Sequence, residues 1–87
     1  MLYTVQHMES FTHCGKAIKA SRERLGFSQR GLADAANVDH GNISRYENDE
    51  VQPSLKTLEK IARALKMNVT TLIWEANHIT HQKGEGA

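Results

Sequence analysis

Cysteine and proline are nearly missing from this chain: Cys14 and Pro53 are the single examples among 87 residues. One cysteine excludes an internal disulfide and fits a reducing compartment, where the thiol serves as a small packed side chain in a first helix. No apolar run approaches the ~18 residues that would cross a bilayer, so no membrane partner is expected. The opening MLYTVQHMES has neither a basic n-region nor a continuous apolar h-region. It therefore does not read as a signal peptide, and a cytoplasmic protein is expected. Charge of one sign is also lacking, with a formal net charge of only +1. There is no phosphate-cradling glycine-rich loop and no zinc-protease motif, and a chain this short has no room for a large substrate cleft. An enzyme is not expected, and neither is a cofactor.

What is present suits one small soluble domain. Apolar residues make up 39% and charged residues 24%, ordinary values for a globular chain with one modest core. The charge is unevenly placed. Between Lys16 and Arg45 six cations face only Glu23, Asp34 and Asp39, a local excess of three that makes a basic surface. After residue 12 no strand-like alternation is sustained, whereas helical spacing and helix boundary signals recur, so an all-α domain is expected.

Five helices can be placed. A first, over 14–25, carries Ile18, Ser21, Arg22 and Leu25 on one face, with Gly26 following at the left-handed position that ends a helix. Ser28 caps a second over 29–36, whose Leu32, Ala33 and Ala36 form a small apolar stripe that allows close helix approach. Asn37 tolerates a left-handed turn and Asp39 caps a third helix over 40–48. Pro53 stops any continuation. Ser54 caps a fourth helix, where Leu55, Leu58, Ile61, Ala62 and Leu65 recur at three- and four-residue intervals, the clearest core signal in the chain. A short fifth helix over 70–76 brings Leu72 and Ile73 inward. Residues 1–12 read as an extension or arm, 13–76 as the domain, and 77–87, ending HQKGEGA, as a frayed tail.

The segments IKASRERLGFSQ (18–29), GLADAANV (31–38), NISRYEN (42–48) and PSLKTLEKIARAL (53–65) together resemble the Cro and phage-repressor type of helix-turn-helix domain, also called XRE-like. The resemblance implies a compact five-helix, lambda-repressor-like fold that binds double-stranded DNA, usually as a symmetric homodimer. It implies a sequence-specific transcription regulator, most simply a repressor, with half-sites about 34 Å apart or a multiple of that. Small phage repressors, anti-CRISPR-associated regulators, toxin–antitoxin regulators and restriction–modification controllers all fit a chain of this size.

By position, the resemblance puts His40, Gly41, Asn42, Ser44 and Arg45 on the outward face of a recognition helix that Ile43 and Tyr46 anchor. The chemistry suits base reading. Arginine donates two bonds to guanine O6 and N7, asparagine pairs with adenine, and neutral histidine can donate or accept. Gly41 costs helix stability yet removes a side chain where backbone could approach DNA. Phosphate contacts are expected from Gln29 and its neighbours Ser28 and Arg30 at a helix N-terminus, and from Asn48. Arg22 and Glu47 match a structural ion pair.

The chain departs from the family pattern at four places. Gly31 replaces a glutamate that would complete a capping box with Ser28, Asn37 replaces a turn glycine, and Ser21 replaces a larger apolar residue. Asp49 replaces the glycine that commonly follows Glu-Asn, and is expected to bring a carboxylate near the phosphate path. Met67, Val69, Leu72, Ile73 and Trp74 gather more apolar surface than one short helix need bury. They read as a dimer interface, or, in an antitoxin-type protein, as the seat of a partner protein. His78 and His81 share a helical i, i+3 spacing, but metal sites want three or four ligands, so no metal is expected.

Overall fold

The computed structural model describes residues 13–86, with side chains described as far as residue 78. The extension or arm over residues 1–12 lies outside the described residues, as does the side chain of His81. Among the described residues five helices follow one another: α1 (Gly15–Arg24), α2 (Gln29–Ala36), α3 (His40–Glu47), α4 (Leu55–Ala64) and α5 (Val69–Gly86). None is long and apolar enough to cross a membrane. The last helix is the main difference from expectation. It runs ten residues past Ala76, where no proline intervenes to stop it and its two glycines come only at its far end.

Local chemistry marks both ends of these helices. Ser28 Oγ accepts from the Gly31 amide at 2.9 Å, Asp39 Oδ2 from Gly41 at 3.1 Å, Ser54 Oγ from Thr57 at 3.1 Å and Asn68 Oδ1 from Thr71 at 3.0 Å. Each satisfies one of the orphan amides of a first turn. The first four helices all close with the paired 6→1 and 5→2 bonds of a Schellman motif. After α1 these are Phe27 N–H to Arg22 O and Gly26 N–H to Glu23 O, both 3.0 Å. The left-handed residue is Gly26 after α1, but Asn37, Asp49 and Lys66 after α2, α3 and α4, with φ of 59°, 58° and 65°. Only one of four such positions therefore uses the residue with no steric cost there.

The core joins all five helices through fully buried Ile18, Leu32, Ile43, Leu58, Ile61, Leu65 and Leu72. α1 packs on α5 and α3, α2 lies between α3 and α4, and α4 closes on α5. Two residues expected inside are not. Leu25 is 44% exposed because α1 ends at Arg24 and Gly26 turns the chain away, and Leu55, the first residue of α4, is 50% exposed. Ser21, small where the family carries a larger apolar side chain, is fully buried but satisfied. Its hydroxyl donates to Glu75 Oε1 of α5 and accepts from Arg24 Nη2, both at 3.3 Å. A polar link between α1 and α5 thus stands where the family pattern carries a larger apolar side chain.

Candidate nucleic-acid interface

α2 and α3 meet across the left-handed turn at Asn37, and α3 presents one face to the core and the other to solvent. Ile43, Tyr46 and Glu47 are its buried residues. With about 100° of rotation per residue, the arc opposite Ile43 centres on Gly41 and Arg45, one turn apart, with Asn42 and Ser44 on its flanks. Exposure follows that arrangement for Gly41 and Arg45, which are exposed, and for Asn42 and Ser44, which are half-buried; His40, on the Ile43 side of the wheel, is exposed because it is the first residue of α3. Among the described residues none of the side chains of His40, Asn42, Ser44 and Arg45 has an ion-pair or hydrogen-bond partner. A row of unspent donors and acceptors stands on a helix whose other side is fixed. Packing within the chain does not demand glycine at 41, since a Cβ there would meet only Asp39 Oδ2, at 3.2 Å.

The start of α2 lies beside α3. Gln29 is half-buried, Ser28 and Arg30 are exposed, and Asn48 lies exposed just past α3. Ser28 spends its acceptor on the Gly31 amide and keeps its O–H to donate. Gly31 has no side chain to return the bond, so the reciprocal half of a capping box is missing. Gln29 is only partly free: its Nε2 donates to Glu47 Oε1 at 3.0 Å.

Behind this surface lies a bidentate ion pair. Arg22 Nε meets Glu47 Oε2 at 2.6 Å and Nη2 meets Oε1 at 3.1 Å, while Nη1 donates to Phe27 O at 3.0 Å. The side chains are 10% and 2% exposed, and the hydrogen bond to Glu47 holds the Arg22 guanidinium above its usual range. One arginine thus ties α1 to the end of α3 and to the residue that enters α2.

Sequence reasoning missed the contact that seats α3 on α1. A Cβ at Gly15 would lie 2.5 Å from the backbone oxygens of both Tyr46 and Glu47. The two helices approach so closely only because that side chain is absent. The Gly15 amide donates to Asp49 Oδ1 at 3.3 Å, where Cys14 provides no side-chain cap. Asp49, whose carboxylate was expected near the phosphate path, has one of its oxygens engaged at the positive end of α1. Burial, reinforced by Asp49, pushes the Cys14 thiol up to about 11.

In the turn after α4 and in α5, Leu72 is fully buried and Met67, Val69 and Ile73 pack partly against the core. Leu72 is spent within its own chain and cannot also form an interface. Trp74 is 57% exposed, its ring stacked on His78 with centroids 3.5 Å apart. His78 Nδ1 lies 2.9 Å from the Trp74 carbonyl, which can only accept, so that nitrogen carries its proton and is unavailable to a metal.

Residues 18–72 match the family model described as helix-turn-helix. The chain belongs to the helix-turn-helix family. Among its relatives, the immunity repressor protein of Bacillus phage phi105 is 35% identical over 71 residues, which cover 82% of this chain and 49% of that repressor. This helix-turn-helix chain thus spans about half the length of that relative. The clp gene regulator ClgR of Corynebacterium glutamicum superposes with a TM-score of 0.78 at 25% identity, over 88% of this chain and 82% of ClgR. SinR, a transcriptional regulator of Bacillus subtilis, is 36% identical over 72 residues, covering 82% of this chain and 64% of SinR. Its structure in complex with DNA matches with a TM-score of 0.66 at 34% identity, over 69% of this chain and 97% of that one.

Proposed function

We propose that this helix-turn-helix chain is a sequence-specific DNA-binding transcription regulator, acting as a repressor by covering a promoter. The observation that carries the reading is α3 itself: a helix locked on one side by Ile43, Tyr46 and Glu47, with partnerless Arg45, Asn42 and Ser44 on the other and partnerless His40 at its exposed start. A repressor and a DNA-bound regulator among its relatives support it. Arg45 is the principal base reader, with a bidentate arginine–guanine pair contributing about 1 to 3 kcal/mol of discrimination. Ser28, Gln29, Arg30 and Asn48 hold phosphates and set register.

A homodimer would place two α3 helices in successive major grooves, half-sites about 34 Å apart. Exposed Trp74, with Met67, Val69 and Ile73 beside it, supplies the apolar centre of the dimer seam. The small net charge sets a moderate salt slope from a limited set of phosphate contacts. The same Trp74 surface also favours a second reading, an antitoxin-type module that holds a partner protein. Selection of bound duplexes from random DNA, with the mass of the complex measured at the same concentration, separates them. A two-fold symmetric site bound by two copies supports the regulator; a stable assembly with a second polypeptide and no enriched site overturns it.

A further inference from the structure

The side chain of Gln29 can serve DNA in only one of its two orientations. A phosphate accepts hydrogen bonds and donates none, so the amide must offer an N–H and not its oxygen. The two ends of an amide have the same shape, and sterics alone do not choose between them. Glu47 does choose. Its carboxylate is acceptor-only, and Oε1 lies 3.0 Å from Gln29 Nε2, so the oxygen end of the amide is barred from that contact. One hydrogen of the planar NH2 is thereby committed, and the second is left for another acceptor. Glu47 is itself immobile, 2% exposed and gripped by Arg22 at 2.6 and 3.1 Å. The arginine also offsets the carboxylate charge, so no uncompensated anion stands behind an amide that must meet a phosphate.

We propose that Glu47, held by Arg22, is a positioning residue for DNA binding: it presets the Gln29 amide with a free N–H for the phosphate backbone. The inference rests on the reading of Gln29 as a phosphate contact. It gives the buried pair a role beyond stability, since the geometry of a DNA contact is fixed before DNA arrives. Preorganising one long side chain changes affinity by about 2- to 10-fold, the range set by the cost of immobilising it on binding.

The test uses the full chain and a mixed-sequence duplex at low salt, because a phosphate contact does not depend on sequence. Gln29→Ala is expected to weaken binding about 10-fold or more, with the salt slope unchanged because the amide carries no charge. Glu47→Gln keeps the shape but can donate or accept, so the Gln29 orientation is no longer dictated. Binding then falls about 2- to 10-fold, and adding Gln29→Ala costs less than in the parent chain. A role in folding alone would lower the melting temperature of Glu47→Gln yet leave the Gln29→Ala penalty unchanged, and that result overturns the proposal. Loss of any Gln29→Ala effect in the parent chain overturns the phosphate reading beneath it. Should Glu47→Gln not fold, the parent chain decides: NMR is expected to show a through-hydrogen-bond coupling from the Gln29 amide nitrogen to the Glu47 carboxylate. Its absence rejects the positioning role.

Discussion

Gly15→Ala tests how α3 is held, at a buried residue of α1 outside the outward face of α3. The added methyl would sit 2.5 Å from the backbone oxygens of Tyr46 and Glu47 and 2.7 Å from Asp49 Oδ1. Two of those three atoms are backbone at the closing turn of α3 and cannot rotate aside, so α1 must slide off α3. Overpacking of this kind costs typically 1 to 3 kcal/mol, roughly. Separation also stretches the Gly15 amide bond to Asp49, already 3.3 Å, which contributes about 1 kcal/mol. Helix propensity works the other way, by under about 1 kcal/mol, and least in a first turn where few intrahelical bonds depend on it. The net loss is about 1 to 4 kcal/mol. A domain of this size then melts roughly 4 to 32 °C lower, at about 4 to 8 °C per kcal/mol. Thermal unfolding followed by circular dichroism reads the shift, and DNA affinity should fall with it because the end of α3 moves. An unchanged melting temperature would show that α1 and α3 do not meet as described.

Four further predictions address separate links. Glu47→Ala strands the Arg22 charge in a largely buried site and should lower stability by about 3 to 5 kcal/mol in chemical denaturation, with DNA binding falling too; an unchanged midpoint would reject the buried pair. Lys66→Gly should raise stability by up to about 1 kcal/mol, since it relieves a left-handed backbone at φ 65° without losing a side-chain bond. Asp49→Gly should gain little or lose, because the same relief is offset by the lost bond to Gly15; equal gains at both positions would refute the role given to Asp49. In alkali, the buried Cys14 thiol at about 11 binds its proton more tightly in the folded state than in the unfolded one, whose thiol has the ordinary value near 9. Its contribution is therefore complete below pH 9 and lost as pH rises through 9 to 11. Cys14→Ala should flatten that part of the stability profile, and a profile identical to the parent's would contradict it.

Much of the fold could be read along the chain because its signals are local. Ser28, Asp39 and Ser54 each sit beside the helix they cap, and the apolar residues of α4 repeat at helical spacing, so boundaries and inward faces follow from neighbours three and four residues apart. Leu25 and Leu55 mislead for the same reason: they keep the helical phase, but each stands at a helix end where the chain leaves the core. The contacts that seat α3 are of another kind. Gly15 and Asp49 are 34 residues apart, and Gln29 and Glu47 are 18 apart. No local rule marks a glycine as needed for close approach to a distant carbonyl. Asp49 was visible as a departure from the family pattern, yet its direction toward α1 required the fold. The outward face of α3 was legible from the family resemblance, while the partial commitment of Gln29 to Glu47 was not. The length of α5 was underestimated because the His-rich and Gly-rich composition of its second half gives no apolar stripe.

The central claim, that α3 reads base pairs, is tested most directly by comparing the sequence preference of the parent chain and Arg45→Ala in the same selection from random duplex DNA. Arg45 is exposed, on the outward centre of α3, and its side chain makes no hydrogen bond or ion pair among the described residues, so its removal should leave the fold and melting temperature intact. The expected result is loss of preference at one guanine position in each half-site, about 1 to 3 kcal/mol of discrimination, with the other positions retained. Full retention of the parent's preference at every position would contradict Arg45 as the principal base reader and the placement of α3 in the major groove that rests on it.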